Sequence, residues 1–148
     1  MIPTHHGKLT FASIEPTQGL RAAIAKPRSE IIAMISQSGL KGRGGAGFPT
    51  GVKWNLCAAA RGADKNIICN ADEGEPGTYK DRIILTQHAS LVIEGMTIAA
   101  YAIGARRGRI YLRGEYAYLR QYLLDVLQQL RESNLLGDAI LGTAGFSF

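Results

Sequence analysis

Asn66-Ile67-Ile68-Cys69-Asn70-Ala71-Asp72-Glu73-Gly74-Glu75-Pro76-Gly77-Thr78 is the segment from which the rest of the chain is most easily read. Its opening, Asn66 to Cys69, is short and apolar with two β-branched residues, as a buried strand should be. It empties into a loop dense in carboxylates and turn residues. Downstream, residues 80–87 read as a helix and 88–103 as a second, strongly apolar one. Arg109-Ile110-Tyr111-Leu112-Arg113 then alternates with period two, the mark of another strand. Within 117–132, Leu119, Tyr122, Leu123, Val126, Leu127 and Leu130 form one stripe of an amphipathic helix. Strand, helix, strand, helix in that order implies βαβ connectivity, hence an α/β fold with a parallel sheet and helices packed on it. Ala144-Gly145-Phe146-Ser147-Phe148 reads as the opening of a third strand, which makes the domain look incomplete at its C-terminal end.

Upstream, residues 1–27 are punctuated by Pro3, Pro16 and Pro27 and carry one helical turn at Leu20–Ala25. They are expected as an N-terminal extension with little regular structure, leaving 28–148 as the domain. Ser29 offers an N-cap for a helix over 30–37 with Ile31, Ile32, Met34 and Ile35 on its apolar side, and Gly39 ends it. A glycine cluster follows from Gly39 to Gly51. Thr50 is a candidate cap for a further helix through Lys53, Trp54 and Cys57.

Composition narrows the function classes. A chain of 148 residues with 46% hydrophobic and 20% charged residues is ordinary globular material and argues against disorder. The net charge of +5 permits an anionic partner: nucleic acid, a membrane surface or an anionic cofactor. Cys57 and Cys69 are the two cysteines, with no C-x-x-C pair, which excludes a disulfide framework and any complete cysteine-ligated zinc or iron–sulfur site within the chain. No metal site is expected, and a reducing, cytoplasmic compartment is the easier reading. Leu91–Ile103 is too short for the roughly 20 residues of a membrane span, so no direct membrane insertion is expected.

Gly42-Arg43-Gly44-Gly45-Ala46-Gly47 satisfies G-x-G-x-x-G, yet the element before it is a helix, not the strand that a dinucleotide fingerprint requires. What remains is physical. Glycines let the main chain approach a ligand, Lys41, Arg43 and Lys53 bring positive charge, and a helix starting near Thr50 adds its dipole. A phosphate is the sensible guest; the plain alternative is a hinge between helices. Asn70, Asp72, Glu73 and Glu75 lie just past the first strand, where ligands sit in parallel sheets. They suit hydroxyl, imide or carboxamide donors, or Mg²⁺, or form a solvated turn. A cationic loop paired with an anionic one suits a ligand with a phosphate at one end and donors at the other. Phe48 and Trp54 flank the glycine loop, with stacking on a planar ring or core packing as the choices. Arg106, Arg107, Arg109 and Arg113 read as a charged approach to a strand, without the aromatic interleaving of a nucleic-acid surface. His5, His6 and His88 are too scattered for a ligand set.

Gly39-Leu40-Lys41-Gly42-Arg43-Gly44-Gly45-Ala46-Gly47-Phe48-Pro49-Thr50-Gly51-Val52-Lys53-Trp54, then Cys69 to Thr78, Ile93-Glu94-Gly95-Met96 and Tyr111-Leu112-Arg113-Gly114-Glu115-Tyr116 occur in order. Together they resemble the flavin- and NADH-binding subunit family of respiratory complex I, which includes the diaphorase subunit of NAD-reducing nickel–iron hydrogenases and the matching formate dehydrogenase subunit. Ile84-Leu85-Thr86-Gln87-His88, Tyr116-Ala117-Tyr118-Leu119 and Ala144-Gly145-Phe146 look most like the hydrogenase diaphorase alpha subunit, in its N-terminal portion. The resemblance implies a Rossmann-like parallel sheet with flanking helices. It implies FMN held by Gly42, Arg43, Gly44, Gly45, Ala46, Gly47, Lys53, Asn70 and Asp72, with Glu73 in the flavin pocket. NAD(H) would stack near Phe48 with Glu75 at the nicotinamide end.

The implied activity is that of an NADH dehydrogenase or diaphorase: hydride transfer between nicotinamide and flavin, with no side chain as catalyst. Electrons would pass to or from iron–sulfur clusters expected outside this chain, in partner segments or subunits of a multisubunit NAD(H) oxidoreductase. The location would be cytoplasmic, or peripheral to the inner membrane within complex I. A Gly-Glu-Glu segment and an asparagine-rich turn that complete the family's pocket do not occur in the chain. The alternative function is a non-catalytic nucleotide-binding or assembly module; nucleic-acid binding ranks last.

Overall fold

Ile67, Cys69 and Ala71 alternate with Asn66, Ile68 and Asn70, so one strand offers an apolar face and an open one. The computed structural model describes residues 17–148 other than Gly44 and Ala63. In it β1 (Asn66–Ala71) pairs in parallel with β2 (Arg107–Leu112), from Asn66 opposite Arg107 to Ala71 opposite Leu112. Between them lie α4 (Lys80–Gln87) and α5 (Ala89–Ile103), so the expected βαβ unit is present. The apolar face of both strands, with Cys69, Ala71, Ile110 and Leu112, packs into a cluster with Leu85, Ile93 and Leu123. The other face leaves Ile68 64% and Tyr111 61% exposed.

α1 (Gln18–Ile24), α2 (Arg28–Gln37) and α3 (Thr50–Ala59) build a second cluster on α5, centred on Leu20, Ile31, Ala100 and Ile103. Residues 17–27 are therefore part of the core and not a loose extension; residues 1–16 lie outside the described ones. The carboxylate of Glu94, half-buried on α5, explains why α1 docks. It accepts from the amides of Thr17 (3.2 Å) and Leu20 (2.8 Å), satisfying helix-terminal donors that no local side chain caps.

Three local expectations change. Ser29 and Thr50 lie inside their helices, and Pro27 and Pro49 take the cap positions, their carbonyls accepting the first helical bonds. The prolines preset an extended entry that a serine or threonine cap would otherwise have to supply. Met34 is exposed while Ile31 and Ile32 are buried, so the apolar side of α2 is narrower than four residues. The stripe starting at 117 splits into a 3₁₀ segment, Gly114–Leu119, and α6 (Arg120–Glu132), with Leu119, Leu123 and Val126 buried.

Residues 144–148 form no strand. Gly142 and Gly145 take positive φ and turn the chain back, so Phe148 exchanges backbone hydrogen bonds with Gly137 (2.7 and 3.0 Å) and not with β2. Phe146 instead enters the core edge-on to Tyr101. Among the described residues the sheet has two strands.

α2 and α3 cross at Gly51. A Cβ there would stand 2.6 Å from both the amide nitrogen and the Cα of Ser36. Gly51→Ala is expected to lower stability by about 1–3 kcal/mol, read as a fall in melting temperature. Ser36→Gly in the same chain leaves those backbone atoms in place and should not restore it.

Candidate functional site

The glycine loop is closed at its base. Gly42 N–H donates to Phe48 O and Thr50 N–H to Leu40 O, both at 2.9 Å, with Lys41 bridged to Pro49. Gly45 (φ +113°) and Gly47 (φ +59°) adopt left-handed backbone that favours glycine. Gly42, Arg43, Gly45 and Ala46 are exposed and Gly47 half-buried, while Gly44 lies outside the described residues. Lys41 and Lys53 are also exposed, so the cationic side chains face solvent around the loop and the start of α3. The two flanking aromatics separate: Trp54 packs against the core, whereas Phe48 is 50% exposed beside the loop.

The acidic loop starts on the open face of the sheet. Asn70 is exposed, and its Oδ1 accepts the amide of Asp72 at 3.2 Å, an Asx turn that bends the chain off β1. Asp72 and Glu75 are exposed. Glu73 is not: it is 3% exposed, and its carboxylate points into the protein. It accepts the amides of Asp81 (2.9 Å) and Arg82 (3.4 Å) at the start of α4, and the hydroxyl of Tyr116 at 3.0 Å. Lys80 Nζ stands 3.9 Å away. Meanwhile the Arg113 guanidinium donates to the Glu73 carbonyl. The structure thus separates Glu73 from Asn70, Asp72 and Glu75, its neighbours in the sequence motif.

Burial pushes the Glu73 carboxyl up, but the Asp81 amide, the Tyr116 hydroxyl, the Arg82 amide and the Lys80 charge outweigh it, and its pKa falls below the usual value. Burial and the neighbouring Glu73 push the Tyr116 hydroxyl up. The Arg113 hydrogen bond draws Glu115 down to about 2. Cys69 is half-buried on the apolar face of β1, its thiol pushed up by burial and then by Asp81, which leaves it a poor nucleophile.

Sequence reasoning misses Arg113, Tyr116 and Glu94 as polar anchors. Tyr116 lies 43 residues from Glu73 and Glu94 77 from Thr17, so no local spacing announces either pair. By sequence Arg113 falls in with Arg106, Arg107 and Arg109; those three are exposed, and Arg113 alone turns inward to the acidic loop.

α3 and β1, which carry the two loops, both pack on α5. A cavity of about 580 Å³ lies elsewhere, between the outer edge of β2 and α6, with Ile93, Ile110, Leu123 and Leu127 among its lining. None of the sequence-predicted site residues lines it. Among the described residues no three His, Cys, Asp or Glu side chains gather as metal ligands. Among the same residues no single helix is long and apolar enough to cross a membrane.

The βαβ unit and its two exposed loops place the chain among α/β domains built on a parallel sheet. Within that class it belongs to the family described as the Nuo51 FMN-binding domain, which matches residues 35–142. It is 59% identical over 125 residues to the NAD-reducing hydrogenase HoxS subunit alpha of Cupriavidus necator, covering 84% of this chain and 21% of that one. It is 48% identical over 120 residues to an NADH-quinone oxidoreductase subunit of Escherichia coli, covering 80% and 27%. The crystal structure of an NAD⁺-reducing [NiFe]-hydrogenase in the H₂-reduced state superposes with a TM-score of 0.74 at 41% identity, over 80% of this chain and 21% of that one. The chain thus spans between about a fifth and a third of the length of such relatives.

A depressed folded-state pKa means that Glu73 stabilises the fold above the usual glutamate range, near pH 4.3, and that this contribution is lost as pH falls through the lower folded value. Glu73→Gln is expected to cost about 1–2 kcal/mol between pH 6 and 8. In urea melts the gap from wild type should close below about pH 4.

Proposed function

We propose that this chain supplies the phosphate-side and carboxylate-side loops of an FMN and NAD(H) site in an NAD(H) oxidoreductase. The observation that carries the reading is that α3, which follows an exposed cationic glycine loop, and β1, which empties into an exposed Asn70–Asp72–Glu75 loop, both pack on α5, within a family described as FMN-binding. The residues fit the group. Gly45 and Gly47 hold left-handed backbone, so the main chain can come close to a phosphate while Arg43 and Lys53 offset its charge. The first turn of α3, opening at Thr50, adds dipole stabilisation to the same anion.

Asn70 and Asp72 offer an amide and a carboxylate to polar atoms of the flavin at the end of β1. Phe48, half out in solvent, offers a face on which a nicotinamide ring can stack, and Glu75 accepts from the carboxamide end. Bound flavin supplies hydride exchange with nicotinamide and release of single electrons; the chain's side chains position the rings. Iron–sulfur clusters in partner segments or subunits would take those electrons, since two cysteines, Cys57 and Cys69, are too few to ligate one within this chain. Glu73 serves this pocket from behind, because its carboxylate is enclosed by α4 and Tyr116.

Flavin fluorescence titrated against the purified native subunit tests this reading. Saturable quenching by FMN is expected, with Lys53→Ala weakening it about tenfold, alongside NADH oxidation with ferricyanide as acceptor. A native subunit that neither retains nor binds FMN sinks it.

A further inference from the structure

The interior polar cluster around Glu73 is larger than one helix cap requires. Its carboxylate is held from α4 by the Asp81 and Arg82 amides and from the 3₁₀ segment by the Tyr116 hydroxyl, while its carbonyl is held separately by Arg113. Side chain and main chain of one residue are thereby pinned from two directions, which fixes its place and its rotation together. Arg113 is itself well placed to act. Its amide donates to Ala71 O at 3.2 Å, continuing the parallel ladder one step beyond β2, and its second guanidinium nitrogen pairs with Glu115 at 2.5 Å.

Tyr116 is equally constrained. It is buried among Leu85, Leu119 and Leu123, and the Arg82 guanidinium lies 5.9 Å from its ring and 5.0 Å from that of Tyr79. The two anchors therefore belong to the packed body of β2 and α6. The residues they immobilise through Glu73 are its loop neighbours, exposed Asp72 and Glu75. A loop of turn residues on its own would sample many positions for these carboxylates; tied at Glu73, it presents them in one.

We infer that Tyr116 and Arg113 are positioning residues for the nucleotide site: by gripping Glu73 from the end of β2 they set where Asp72 and Glu75 meet flavin and nicotinamide. This rests on the function proposed above. Neither residue is asked to touch the nucleotide, and Glu73 transmits the effect.

The test uses the native enzyme assembled on this chain, with Tyr116→Phe and Glu73→Gln made singly and together. Tyr116→Phe should raise the FMN Kd and the NADH KM about tenfold, a hydrogen bond to a charged acceptor being lost, while kcat of the flavin-saturated enzyme stays within about twofold. The double variant should be no worse than Glu73→Gln, within about twofold, since both act through one contact. Hydrogen exchange at amides 72–79, measured without nucleotide, should quicken in Tyr116→Phe. Arg113→Lys, which lacks the fork that holds the Glu73 carbonyl and the Glu115 carboxylate at once, should reproduce the KM effect and serves if Tyr116→Phe fails to fold. Unchanged constants in Tyr116→Phe, or losses that multiply in the double variant, overturn the inference. Should the wild-type enzyme show no flavin and no NADH oxidation, the proposed function falls, and the exchange measurement alone decides whether Tyr116 orders the loop.

Discussion

Every other helix and both strands of the described chain rest on α5. Its sequence permits this because small residues, Ala99, Ala100 and Ala102, let neighbours approach on several sides, while Ile93 and Ile103 supply bulk at either end. Each such isoleucine is worth about 1.5–3 kcal/mol when fully buried. One end of α5 gathers α1, α2 and α3; the other gathers α4, α6 and the apolar face of the sheet. The glycine loop and the acidic loop are each attached to an element seated on this helix, α3 and β1 respectively.

Within that frame the polar contacts differ greatly in weight. Lys26 with Glu30 and Arg113 with Glu115 involve at least one well-exposed partner, and pairs of that kind contribute little in water. Glu73 and Glu94 are different, because each satisfies helix-terminal amides from a remote position and Glu73 does so fully enclosed. Removing an acceptor there strands donors that water cannot easily reach. Helix caps in this chain come mainly from prolines and from distant carboxylates, where the local serine and threonine signals point elsewhere.

The βαβ order is legible because period-two and period-3.6 patterns are local: Ile67 to Cys69, the apolar run after Ala89 and the Leu119–Leu130 stripe each declare their element. The glycine loop is legible too, since its residues and the positive φ at Gly45 and Gly47 belong to one short segment. The final phenylalanines mislead, because an apolar alternation at 144–148 looks the same whether it pairs with β2 or folds back on Gly137. The glycines at 142 and 145 are the physical clue that the chain turns there.

Residue type and local spacing were enough to establish an α/β unit, a cationic loop after a helix and an anionic loop after a strand. They were also enough to carry a family resemblance that the match over residues 35–142 bears out. What they left undivided was the carboxylate cluster. Asp72, Glu73 and Glu75 are chemically alike and close in sequence, and which of them faces solvent depends on donors from α4, Arg113 and Tyr116 that packing alone brings near. A buried carboxylate is recognised by its partners, and these partners lie between 8 and 43 residues away.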